Sequence, residues 1–147
     1  MRARADNAIP RPSLGVGILA TSVGGALGAV ARWGLTDLFP VAANSFPWVT
    51  FVINVVGSGL LAALPLLATA RRRPWLGLLL GPGVLGGFTT MSAASTETFV
   101  LIDHGATALG LAYCLGTLGA SLLAVLLVDR ITTDQQRLDF ENAEGDR

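Results

Sequence analysis

The chain has no lysine and only one cysteine (Cys114), one histidine (His104) and one tyrosine (Tyr113) among its 147 residues. A single cysteine excludes an internal disulfide framework. Charge is scarce, at 14% of the residues against about 25% in an ordinary soluble domain. Ten basic residues, all arginine, balance ten acids. A nucleic-acid binder needs a clustered basic surface, and this balance does not provide one. There is also no cluster of metal ligands, no nucleophile paired with a base and no phosphate-cradling loop, so no enzymatic activity is expected. What the chain does have is 52% apolar residues and 18 glycines. That composition points to a lipid bilayer.

The charges sit at the ends and in one loop. Residues 1–13 carry Arg2, Arg4, Asp6 and Arg11 as an N-terminal cytoplasmic segment, and residues 129–147 form a polar tail expected to be disordered. Between them, residues 14–128 hold four apolar stretches: Leu14–Leu35, Phe46–Ala70, Trp75–Ile102 and Gly105–Val128. Each is long enough to cross a hydrocarbon core of about 30 Å, which takes roughly 20 helical residues. Arg71-Arg72-Arg73-Pro74 and Asp103-His104-Gly105 are short connections that force neighbouring helices to run antiparallel. Ala29-Val30-Ala31 imitates a signal-peptidase site, but the preceding apolar run is too long and too rich in glycine for a signal core. With the N-terminus inside, Arg2, Arg4, Arg11, Arg71, Arg72, Arg73 and Arg130 all fall on the cytoplasmic side and only Arg32 on the other. The positive-inside rule then gives a multi-pass plasma-membrane protein with both termini in the cytoplasm.

The informative residues are the polar exceptions within the spans. Thr50, Asn54 and Ser58 recur every four positions and share one face of the second helix; Tyr113, Thr117 and Ser121 do the same in the fourth. Such stripes serve as interhelical glue or as a polar path. In the third span Gly81-Pro82-Gly83 comes early, and Gly86-Gly87-Phe88-Thr89-Thr90-Met91-Ser92 near the centre is poor helix sequence. A break there exposes backbone groups that lipid cannot satisfy, so it must be buried in protein or border a watery cavity. Gly24 and Gly28 fit close helix packing. Arg32 and Glu97 are the charged candidates inside spans, and they suggest an ion pair.

These residues resemble the CrcB or Fluc family of small fluoride channels. The likeness runs from Gly24 to Val128. It rests on Gly28-Ala29-Val30-Ala31-Arg32, Asn54-Val55-Val56-Gly57-Ser58, Gly86-Gly87-Phe88-Thr89-Thr90, Ser95-Thr96-Glu97-Thr98 and the Tyr113–Thr117–Ser121 spacing. Each motif is weak alone, but the order across four spans is specific.

The resemblance implies an all-α membrane protein of four transmembrane helices with a broken third helix, assembled as an antiparallel dimer with fluoride pores along the subunit boundary. It implies a central structural sodium ion held by the carbonyls of Gly86 and Thr89. It makes Asn54 a pore hydrogen-bond donor and places Tyr113, Thr117 and Ser121 on a polar track. Thr90, Met91, Ser92 and Ala94 fall in the pore segment, and Arg32 shapes an anion-attracting vestibule. The implied partners are fluoride, sodium, membrane lipid and a homologous subunit, with no nucleic acid.

The chain departs from the family where two phenylalanines usually flank the fluoride path. Met91 and Ala94 stand there, without the electropositive ring edge an anion would meet. The family threonine between them is Ala93. The arginine bias also opposes insertion in both orientations, so a heterodimer with an oppositely oriented homologue is expected. A small multidrug-type exporter is the first alternative, opposed by the lack of any acid in residues 14–31. A non-conducting membrane assembly subunit is the second, and it leaves the two stripes unexplained.

Overall fold

A computed structural model describes residues 12–42, 44–67, 69 and 72–145, with side chains as far as residue 133. The described residues are helical, and four helical stretches are long and apolar enough to cross a membrane: Leu14–Leu38, Trp48–Leu66, Pro74–Asp103 and Thr107–Thr133. Most of the charged N-terminal segment (residues 1–11) and Arg71 of the arginine loop lie outside the described residues.

Helix α1 (Leu14–Leu38) begins at Ser13, whose hydroxyl accepts the Val16 amide at 3.5 Å. This satisfies one of the donors that every helix start leaves open. Helix α2 (Trp48–Ala63) starts two residues later than the apolar run suggests, because Pro47 occupies the N-cap. At its other end Pro65 tightens the chain into a 3-10 turn, Leu64–Leu66, so the span stops short of Ala70. Phe46, Trp48 and Phe51 stack around that entry, with ring centroids 4.4 to 5.8 Å apart.

The third span has two irregularities of different kinds. Helix α3 (Pro74–Leu78) widens into a π-helical turn, Leu79–Leu85, around Pro82. Proline lacks an amide and its ring clashes with the carbonyl one turn back, and the wider turn accommodates both defects. Gly81-Pro82-Gly83 therefore widens the helix without ending it. The interruption comes after α4 (Gly86–Phe88): Thr89 and Thr90 take extended backbone, and helix resumes in α5 (Met91–Asp103).

A tight turn then leads to the fourth span. Gly105, at φ 82°, lets Ala106 donate to Leu101 at 2.8 Å and Gly105 to Ile102 at 3.0 Å, the double bond of a Schellman cap. Helix α6 (Thr107–Gly145) continues well past Val128. A disordered tail was expected from Asp129 onward. Its backbone is helical to Gly145, in a stretch with no proline to stop the helix.

In the packing, α1 lies on the first half of the third span, and α6 packs against both α2 and α5. Glycine makes the first contact possible. A Cβ on Gly24 or Gly28 would meet the Leu79 or Val84 carbonyl, and one on Gly87 would meet the Gly25 carbonyl. Few side chains are buried, chiefly Ala94, Leu101 and Tyr113 in one cluster, while large apolar residues cover the outside. That inversion is what a bilayer solvent permits. The chain is a multi-pass membrane protein.

Candidate functional site

The break disposes of its own backbone groups in an ordered way. In an unbroken helix the Thr90 amide would close onto the Gly86 carbonyl. Here it donates to Asn54 Oδ1 at 2.8 Å, while Asn54 Nδ2 donates back to the Thr90 carbonyl at 2.9 Å. Asn54, only 7% exposed on α2, thus grips Thr90 at two points. The Thr90 hydroxyl accepts the Ala93 amide at 3.1 Å and caps α5. Thr89 folds back, its amide and its hydroxyl each donating to Leu85 at 3.0 Å. Arg32 Nε donates to the Gly87 carbonyl at 3.3 Å.

A groove of about 390 Å³ opens beside the break, lined by Asn54, Ser58, Gly86, Thr89, Thr90, Met91, Thr117, Leu118 and Ser121. At about 1.5 Å per residue, Asn54 and Ser58 lie roughly 9 and 15 Å into α2, near the middle of a 30 Å core. The lining is neutral and hydroxyl-rich. The N-terminus of α5 faces it and contributes the positive end of a helix dipole. The Ser121 hydroxyl is buried with no partner within the described chain. The Thr117 hydroxyl already donates to the Tyr113 carbonyl at 2.7 Å, leaving its lone pairs toward the groove.

The two polar stripes do not form one continuous track. Their inner members, Asn54 and Ser58 on α2 and Thr117 and Ser121 on α6, meet at the groove. Their outer members turn to Glu97 instead. Thr50 donates to Glu97 Oε1 at 2.7 Å and Tyr113 donates to Oε2. Thr50 and Tyr113 are 1% and 0% exposed, and together they form a two-hydroxyl clamp on a half-buried carboxylate. Tyr113 was expected beside Thr117 and Ser121 on the groove, and its hydroxyl is committed to Glu97. The suggested Arg32–Glu97 pair does not form either: Arg32 reaches the Gly87 carbonyl, since α1 packs on the first half of the third span, and Glu97 lies further along in α5. The sequence signal for this second cluster was present. Glu97 is an acid inside an apolar span, and such a group requires donors.

The remaining candidates divide. Gly86, Thr89, Thr90 and Met91 line the groove. Met91 is 57% exposed and projects from the chain. Ser92 lies beside Thr90, with hydroxyl oxygens 3.2 Å apart, but outside the groove lining. Ala94 is not at the groove: it is buried with Leu101 and Tyr113, with Phe46 and Phe51 packed against the same cluster. No group of three or more His, Cys, Asp or Glu residues suited to a metal occurs among the described residues. A cation here would need neutral oxygen ligands, from backbone carbonyls, hydroxyls or the amide. The break meets that requirement, because it strips the Gly86 and Thr89 carbonyls of the helical amides of Thr90 and Ala93, both bonded elsewhere.

Residues 19–128 match the sequence profile of the CrcB-like protein, Camphor Resistance (CrcB), family. The chain is 42% identical over 112 residues to a fluoride-specific ion channel FluC of Rhizobium meliloti (strain 1021), covering 74% of this chain and 89% of that one. It is 43% identical over 110 residues to the protein of the same name from Novosphingobium aromaticivorans, covering 72% and 87%. Against fluoride-specific ion channel FluC 1 of Mycobacterium bovis the identity is 42% over 118 residues, covering 75% and 85%. A profile spanning most of the chain and relatives at this identity make it a member of the CrcB-like family.

Proposed function

We propose that the chain is a subunit of a fluoride channel that lets cytoplasmic fluoride leave the cell passively. The observation that carries this reading is the neutral groove at mid-membrane, where Asn54, Ser58, Thr117 and the unpartnered Ser121 hydroxyl converge on the start of α5. Fluoride is small and strongly hydrated, so entry requires replacement donors along the way. Neutral donors hold an anion without trapping it, which conduction demands. The names of the relatives support the same substrate.

The pore would lie along a subunit boundary. Met91, Ser92, Ser95 and Thr96 are exposed along α5, and polar side chains at membrane depth call for a protein cover. The cover we propose is a homologous chain of opposite orientation, because the arginine bias favours this one with both termini in the cytoplasm. Met91 and Ala94 offer no aromatic edge to fluoride. The partner would supply it to the pore lined jointly by both chains. At the dimer centre the Gly86 and Thr89 carbonyls would hold a sodium ion, which supplies a fixed positive potential at mid-membrane when bound. In this chain Asn54 keeps those carbonyls available by gripping Thr90.

Fluoride efflux from liposomes tests the proposal. Efflux is expected from the chain reconstituted with its opposite-bias homologue, and little from the chain alone. A conducting homodimer would reject the heterodimer. No efflux in either preparation would favour an assembly subunit, and proton-coupled efflux of cationic drugs would favour an exporter.

A further inference from the structure

We propose that Arg32 is a positioning residue: its Nε–H occupies the Gly87 carbonyl that the break leaves open, and so holds the broken third span in its conducting shape. With Thr89 and Thr90 extended, the carbonyls of Gly86, Gly87, Phe88 and Thr89 lose the register of a continuous helix. Two side chains from neighbouring spans intervene. Asn54 grips Thr90 from α2, and Arg32 takes Gly87 from α1. One clamp acts on each side of Phe88–Thr89. Of the other three carbonyls, those of Gly86 and Thr89 belong to residues that line the groove.

The packing explains why an arginine at position 32 reaches inward. Helical side chains lean toward the helix N-terminus. Gly28 lies one turn before Arg32 and packs so closely that a Cβ there would meet the Val84 carbonyl and, at 2.8 Å, the Phe88 amide. Arg32 therefore leans back over the contact that its own glycines create. Its partner is a backbone carbonyl and not an acid, because α1 packs on the first half of the third span, up to α4, and Glu97 lies further along in α5. A charged donor on a carbonyl at membrane depth makes a stronger hydrogen bond than a neutral one. This role differs from that of a surface charge gathering anions in a vestibule, which would act at a distance and through charge alone.

Two substitutions separate the roles. Glutamine carries its amide nitrogen on Cδ, where arginine carries Nε, so Arg32→Gln keeps a donor in place and removes the charge. Arg32→Lys keeps the charge and moves the nitrogen one bond further along. Hydrogen exchange of the Thr89 and Thr90 amides in the full-length protein reads the break directly and requires no transport. We expect Arg32→Lys to speed that exchange about tenfold, the effect of one hydrogen bond from a charged donor, and Arg32→Gln, which keeps a weaker neutral bond in place, to speed it less. In the efflux assay, which rests on the channel reading, maximal rate should fall further in Arg32→Lys than in Arg32→Gln. Unchanged protection in both variants overturns the proposal. So does an Arg32→Lys chain that transports normally while Arg32→Gln loses efflux at low fluoride and regains it at high fluoride, the pattern of a lost vestibule charge. A wild-type chain that shows no efflux, alone or with its opposite-bias homologue, defeats the channel reading alone, and the exchange data still decide the role of Arg32.

Discussion

At the scale of single residues, this chain spends side-chain donors on backbone and on one carboxylate before any ligand arrives. Asn54 is the clearest case. Its Nδ2 donates to the Thr90 carbonyl and its Oδ1 accepts the Thr90 amide, so a carboxylate in its place loses the first bond and sets a negative oxygen against a carbonyl. Asn54→Asp should sharply reduce fluoride efflux from liposomes. Unchanged transport would remove Asn54 from the site. Tyr113 tests the other cluster. Tyr113→Phe strips the half-buried Glu97 of one of its two hydroxyl donors. A hydrogen bond to a charged acceptor contributes about 1.5–3 kcal/mol, and the melting temperature in detergent should fall accordingly. The sequence showed both residues on polar stripes. It did not show that one stripe member clamps a break while another satisfies a half-buried acid, since a four-residue spacing defines a face and not the neighbour across it.

At the scale of elements, the glycines of α1 distinguish close packing from open surface. Gly28 faces the Val84 carbonyl, which cannot yield without moving the π-helical turn. Gly28→Ala should destabilise by about 1–3 kcal/mol, the range for overpacking. Gly34 has nothing within 4 Å of where a Cβ would stand. Gly34→Ala should instead stabilise by about 0.5–1 kcal/mol, because a mid-helix glycine costs backbone entropy. Thermal unfolding of the two variants in one detergent checks the opposite signs. The same scale explains why Gly81-Pro82-Gly83 and Thr89-Thr90 differ. Proline in a helix flanked by glycines has room for a wider turn. At Thr89-Thr90 a polar side chain from α2 offers the backbone an alternative partner, and the helix opens.

At the scale of the whole molecule, large apolar residues cover the outside of the described spans, and the arginine pattern of the sequence predicts both termini in the cytoplasm. A reporter that is active only in the cytoplasm, fused after Arg147, should be active, and one that is active only outside should be silent. The reverse result would invert the orientation and with it the argument for a partner of opposite bias. The four spans were legible from the sequence because hydropathy and helix length are local properties. The interruption near Thr89 was legible because glycine and threonine runs are weak helix sequence wherever they occur. The sequence by itself thus determined a four-span membrane bundle with an irregular third helix. Tertiary structure alone decided that Asn54 and Arg32 hold that irregularity from two sides, that Thr50 and Tyr113 turn to Glu97, and that Ala94 is interior. Each depends on which helices touch and at what height, and a hydrogen bond between residues 32 and 87 leaves no trace in the pattern of either segment.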